Sequence, residues 1–98
     1  MNYQLVVLPT VQTDIEEAAL WYNNQRKGLG AELLLSIEAE INLIARNPYT
    51  YQVSKKDYRR ALIHKFPYNI FYKIDNDKVV ILALWHFKRK PFSWLKRV

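Results

Sequence analysis

The side chains of this chain that could move protons or hold an anion at neutral pH gather in its second half. His64 and His86 are the only histidines; Arg89 follows His86 by three residues within Lys88-Arg89-Lys90, and Arg59-Arg60 lies just ahead of His64. Histidine titrates near neutrality and serves as base or acid. Arginine holds a phosphate or carboxylate with two parallel N–H bonds and stabilises developing negative charge. Such a set suits metal-free cleavage of RNA through its own 2′-hydroxyl. One group activates that oxygen, another protonates the leaving oxygen, and cations neutralise the phosphorane. On that reading Arg89, His86 and His64 are the catalytic candidates. Arg59, Arg60, Lys65, Lys88, Lys90 and Arg97 would bind RNA, and they would equally dock an acidic protein.

Other chemistries lack their residues. There is no cysteine, hence no disulfide, thiolate ligand or thiol nucleophile, and the two glycines, Gly28 and Gly30, form no phosphate loop. No carboxylate lies near either histidine in sequence, so no metal site is expected. Ser36, Ser54 and Ser93 sit in no nucleophile motif, and most carboxylates read as solvated helix faces. No cofactor is expected. Each candidate also has a plain structural reading. His86 aligns with Leu82 and Leu84 by the period of two, as a residue packed at a sheet margin would. Arg89 can be a solvated strand end. Trp85 and Phe87 suit packing against helices, and Trp94, beyond Pro91, suits anchoring the tail to the core.

The elements that position these residues follow from periodicity. Residues 3–8 read as a short strand that Pro9 stops. Thr10 or Thr13 is placed to cap a helix whose apolar stripe is Ile15, Ala18, Ala19 and Tyr22. Asn23, Asn24 and Gly28 break it. A second helix starts near Leu29, with Leu33, Leu34, Ile37, Ile41 and Ile44 as its stripe and Glu32, Glu38 and Glu40 facing away. Asn47-Pro48 ends it. After a loop over 49–57, residues 59–66 alternate, with Arg60, Leu62, His64 and Phe66 on one side. Residues 68–74 align Tyr68, Ile70, Tyr72 and Ile74; Asp75-Asn76-Asp77 turns; and 78–88 is the most apolar strand, expected to be central. The expected fold is α+β: an N-terminal strand, then an α-helical hairpin packed on a mainly antiparallel four-stranded sheet, in the order β-α-α-β-β-β. The sheet's other face would be partly open.

The length of 98 residues suits a single domain over 1–98 with half its residues hydrophobic, which excludes low-hydrophobicity disorder. No apolar run approaches the ~20 residues of a membrane span, and the amino terminus lacks a signal-peptide pattern. A cytoplasmic location is expected, with no membrane partner. The net charge of +6 hides a division. Residues 1–45 hold two basic and six acidic groups, a net −4, whereas residues 46–98 hold thirteen basic and three acidic, a net +10. That excess suits an anionic partner, and it would also keep a small domain soluble.

Several of these segments, taken together, resemble a known group. They are Asp14-Ile15 with Ala18 and Tyr22, Asn47-Pro48, Arg59-Arg60, Phe66-Pro67-Tyr68-Asn69-Ile70-Phe71-Tyr72, and His86-Phe87-Lys88-Arg89-Lys90-Pro91 with Trp94. In this order, over nearly the whole chain, they resemble the RelE/ParE superfamily of bacterial toxin–antitoxin toxins, also described as plasmid stabilisation proteins. The resemblance implies the same helical hairpin on a sheet, and an antitoxin partner that wraps the toxin and is acidic where it meets basic surface. It implies growth inhibition by one of two routes: ParE-like poisoning of DNA gyrase, or RelE-like cleavage of messenger RNA on the ribosome. Arg89 stands where the ribonuclease branch carries a key arginine, His64 stands near a second arginine position, and His86 matches a late histidine of some members. That branch's carboxyl-terminal tyrosine has no counterpart, because Trp94 and Leu95 occupy the stretch. The H-x-x-R-x-P-x-x-W ending is closer to the ParE-like group, which the resemblance slightly favours. A non-toxic interaction module that retains the fold is the remaining alternative.

Overall fold

The computed structural model describes residues 3–98. Strand β1 (Gln4–Val7) runs through an extended Leu8 straight into helix α1 (Pro9–Gln25). Pro9 therefore stops the strand, as expected, by opening the helix. Its fixed φ suits the first helical position, and its missing N–H would have had no partner there. Neither Thr10 nor Thr13 caps α1, contrary to expectation; Thr13 Oγ1 instead donates to the Pro9 carbonyl at 3.2 Å. The early start brings Val11 onto the core face ahead of Ile15, Ala18, Ala19 and Tyr22.

Gly28, at φ +90°, makes the turn that reverses the chain, and its N–H donates to Asn23 Oδ1 at 2.8 Å. Helix α2 (Leu29–Arg46) buries Leu33, Ile37, Ile41 and Ile44. Leu34, expected in the same stripe, is 43% exposed and sits outside with Leu35 and Leu43, because one residue beyond Leu33 turns the side chain by ~100°. Glu40, expected to face away, accepts a hydrogen bond from the Tyr51 hydroxyl. The two helices approach closely at Gly30, where a Cβ would lie 2.4 Å from the Ala19 carbonyl oxygen.

A short 3-10 turn (Pro48–Thr50) leads to β2 (Val53–Lys55), β3 (Tyr58–Leu62), β4 (Tyr68–Asp75) and β5 (Lys78–His86); a second 3-10 turn (Ser93–Arg97) ends the chain. The sheet order is β1-β5-β4-β3-β2, with β1 parallel to β5 and the other neighbours antiparallel. The α+β expectation holds, with five strands rather than four. The additional strand, β2, lies inside 49–57, where three residues are too few to show alternation. β3 also ends earlier than its pattern suggested. Lys65 adopts φ +77°, and Phe66 turns into the core with Ala61 and Ile63 instead of sharing the side of Arg60, Leu62 and His64.

β5 contains a bulge. Tyr72 pairs with Ile81 and Phe71 with Ala83, which leaves Leu82 as an extra residue. Val79, Ile81 and Leu84 consequently face the helices, while Leu82, Ala83 and Trp85 face the opposite way. This corrects the expectations for this strand: Leu82 does not share a side with His86, and neither Trp85 nor Phe87 packs against the helices, Phe87 being exposed. Trp85 belongs to a second core with Phe71 and Trp94, covered by Phe92 and Leu95. Trp94, fully buried, anchors the tail as expected and closes this end of the sheet face expected to be open.

The hairpin contact gives a direct test. Gly30→Ala, which must push backbone apart, should lower unfolding free energy by about 1–3 kcal/mol in chemical denaturation. Gly28→Ala meets no atom within 4 Å and should cost only the left-handed backbone penalty of about 1–2 kcal/mol. An unchanged midpoint for Gly30→Ala would show that the helices do not depend on that approach.

Candidate functional site

The bulge sets the geometry at the end of β5. His86 emerges on the helix side, its ring edge-on to Tyr68 with centroids 5.0 Å apart. Trp85 emerges on the other side, its indole N–H donating to the Lys90 carbonyl at 3.1 Å. The intervening turn is pinned by the Arg89 N–H on the His86 carbonyl (3.1 Å) and the Lys88 N–H on His86 Nδ1 (3.0 Å). It returns Arg89 over Trp85, with the guanidinium carbon 3.5 Å from the ring centroid. Arg97, from the terminal turn, lies 5.8 Å from the same ring.

Two clefts meet here, and His86 and Arg89 line both. The first, about 220 Å³, is completed by Asp14, Glu17 and Ala18 of α1 with Tyr68 and Leu84. The second, about 200 Å³, adds Arg60, Asn69, Phe87 and Phe92 above Phe71 and Trp85. The carboxylates that histidine appeared to lack in sequence are thus supplied from α1. Only the tertiary fold brings them there, and no local spacing signals it.

The other candidates are dispersed. His64 is exposed in the β3–β4 connection and lines neither cleft. Arg59 braces the loop after α2, donating to the Tyr51 carbonyl at 2.5 Å and the Tyr49 carbonyl at 3.4 Å, with its guanidinium carbon 5.2 Å from the Tyr49 ring centroid. Lys65 pairs with Glu32 of α2 at 3.0 Å. Arg97 pairs with Asp14 at 2.7 Å and donates to the Thr10 carbonyl, tying the tail to α1. Arg60 joins Arg89 at the second cleft, and Lys88 and Lys90 are exposed beside it.

The bond to His86 Nδ1 bears on chemistry. A ring accepting there in its neutral form carries its proton on Nε2, so Nδ1 has no free lone pair for a substrate. Arg89 remains able to hold an anion, since stacking on an indole leaves its N–H edge available.

Residues 5–91 match the family model described as the ParE toxin of type II toxin-antitoxin system, parDE. A solved structure titled "Chromosomal ParDE TA system from P. aeruginosa" is similar to this fold with a TM-score of 0.78. It covers 86% of this chain and 95% of that chain at 10% identity. No curated protein sequence matches the chain. The architecture is that of the RelE/ParE superfamily, as the sequence resemblance implies. Within it, the chain belongs to the ParE toxin family of type II toxin–antitoxin systems, which makes an antitoxin its implied partner. Among the described residues no helix is long and apolar enough to cross a membrane.

The loop that leads into the basic sheet is held by phenols, and this gives a pH dependence. Burial, with the bond to Glu40, pushes the Tyr51 hydroxyl up to about 12. Burial also pushes Tyr72 up, its hydroxyl donating to the Pro48 carbonyl at 2.6 Å. Above pH ~10 the unfolded chain ionises these tyrosines while the folded one keeps their protons, so the unfolded state binds fewer protons. The tyrosines' contribution to stability should be constant below that pH and should fall as pH rises toward about 12. Thermal melts from pH 9 to 12 should show this fall, and Tyr51→Phe should flatten it; an equal slope in the variant would contradict the assignment.

Proposed function

We propose that this protein is the growth-inhibiting toxin of a type II toxin–antitoxin pair and that, free of its antitoxin, it inhibits DNA gyrase by binding. The observation carrying this reading is that the three catalytic candidates do not all converge: His86 and Arg89 share a cleft, and His64 lies outside it. His86 spends Nδ1 on the Lys88 N–H, and of the three only Arg89 is placed to hold an anion. Cleaving RNA needs an acid and a base on opposite sides of a phosphate, whereas blocking an enzyme by docking needs a charged, shaped surface. Membership of the ParE family supports the same choice. The gyrase reading places the protein in the cytoplasm. One observation favours a ribosome-dependent ribonuclease instead: His86 and Arg89 share a cleft.

Induction without antitoxin separates the readings. Growth should stop, DNA breaks should accumulate, transcripts should stay intact, and purified protein should inhibit supercoiling by gyrase. His86→Ala should retain all four effects. Transcript cleavage that disappears in the His86→Ala, Arg89→Ala double variant would establish the ribonuclease instead. Unimpeded growth with folded, soluble protein would leave an interaction module.

A further inference from the structure

Arg60 and Arg89 are 29 positions apart, yet the registers Arg60↔Phe71 and Phe71↔Ala83 bring them to one cleft. No carboxylate lines that cleft. Among the described residues Arg26, Lys65 and Arg97 all pair with acids, whereas neither Arg60 nor Arg89 does. These two cations therefore stand at a concave site whose own lining holds no carboxylate; Asp14 and Glu17 line the adjoining cleft that Arg89 also borders, but neither pairs with it.

Arg89 is also set in position. A guanidinium carbon 3.5 Å from an indole centroid leaves room only for face-on stacking, since a tilted group would drive its nitrogens into the ring. Stacking removes water from one face and restricts the side chain, while the N–H donors stay in plane at the edge. A bidentate acceptor then binds a fork that has already lost much of its freedom. Carboxylate and phosphate both fit a fork, and the aromatic groups decide between them. A nucleotide gains most from an open ring on which its base can stack. Trp85 is 4% exposed and already carries Arg89, Phe71 is equally buried, and Phe87, 51% exposed, is the rim aromatic left open. A cleft of about 200 Å³ with one exposed apolar rim suits a single acidic side chain and an apolar neighbour.

We propose that this cleft is a receptor for a glutamate or aspartate side chain of a partner protein. The carboxylate binds between Arg60 and Arg89, and the adjoining apolar residue packs on Phe87. Nothing in the proposal depends on gyrase being the toxin's target.

Calorimetry on the full chain tests it with three probes: an acetylated, amidated octapeptide alternating glutamate with leucine, its glutamine analogue, and an eight-nucleotide uridine RNA. The glutamate peptide should bind, weakening as salt rises, and the glutamine peptide should not. Arg89→Lys, which keeps the charge but loses the fork, and Arg60→Gln should each weaken binding by about 10-fold, the scale of one charge-assisted pair. Lys78→Gln, at the far end of β5, should leave binding unchanged. The proposal fails if the glutamate peptide does not bind, or if it binds both arginine variants as tightly as the parent protein. It also fails if the RNA binds through the same arginines and the peptide does not, which would make the cleft a nucleic-acid site.

Discussion

Leu82 is one residue more than the β4–β5 ladder can pair, and the two faces of this protein are arranged around it. Before the bulge, Val79 and Ile81 point to the helices; after it, Leu84 and His86 do. A regular strand would have continued the odd positions, sending Trp85 into the helix-side core beside Tyr22 and Tyr68. His86 would then have lain beneath the tail. The inserted residue exchanges them. Trp85 meets Trp94 and receives Arg89, and His86 opens onto the cleft bearing Asp14 and Glu17. Bulges commonly re-aim side chains in this way next to functional sites.

The division of charge between the halves has a partly internal purpose. Lys65 and Arg97 reach from the basic half to Glu32 and Asp14 on the helices. Arg59 is spent on backbone carbonyls. The Lys65–Glu32 pair is exposed and screened by solvent, and the Arg97–Asp14 pair only partly so, so their main effect is on where positive charge is left over. What remains unpaired around the end of β5 is Arg60, Lys88, Arg89 and Lys90. Four of the thirteen basic groups of the second half thus gather at this one corner, while others, such as Lys55, Lys56, Lys73 and Lys78, are spread along the sheet.

How far this could be read from sequence depended on whether side-chain type carried the geometry. The buried stripes of α1 and α2, the break at Gly28, the stop at Asn47-Pro48 and the alternation of β4 are all local, and all were legible. The bulge was silent, because residues 79–85 are apolar throughout and a shift of face leaves no polar residue out of place. Lys65 in a left-handed conformation gave no sign, since lysine has no preference for it. His64 therefore read as the continuation of a strand that had already ended. At the site, the three-residue spacing of His86 and Arg89 was visible, whereas Arg60 joins them through two registers and Asp14 and Glu17 through helix packing.

The same logic makes the tail an energetic hinge for the corner. Phe92 sits at φ +64°, a conformation costing about 1–2 kcal/mol for a side chain of its kind. The Trp94 indole N–H is buried without an acceptor among the described residues, which costs about 1–3 kcal/mol more. Apolar burial of Trp94, Phe92 and Leu95 must outweigh both, helped by the Arg97–Asp14 pair. A segment held mainly by non-directional contacts against local strain opens at lower cost than one held by a full hydrogen-bond ladder. Because Trp94 and the Lys90 carbonyl together fix the indole on which Arg89 rests, loosening the tail would release the guanidinium as well. The order of seven carboxyl-terminal residues and the readiness of one arginine are therefore a single mechanical property of the fold.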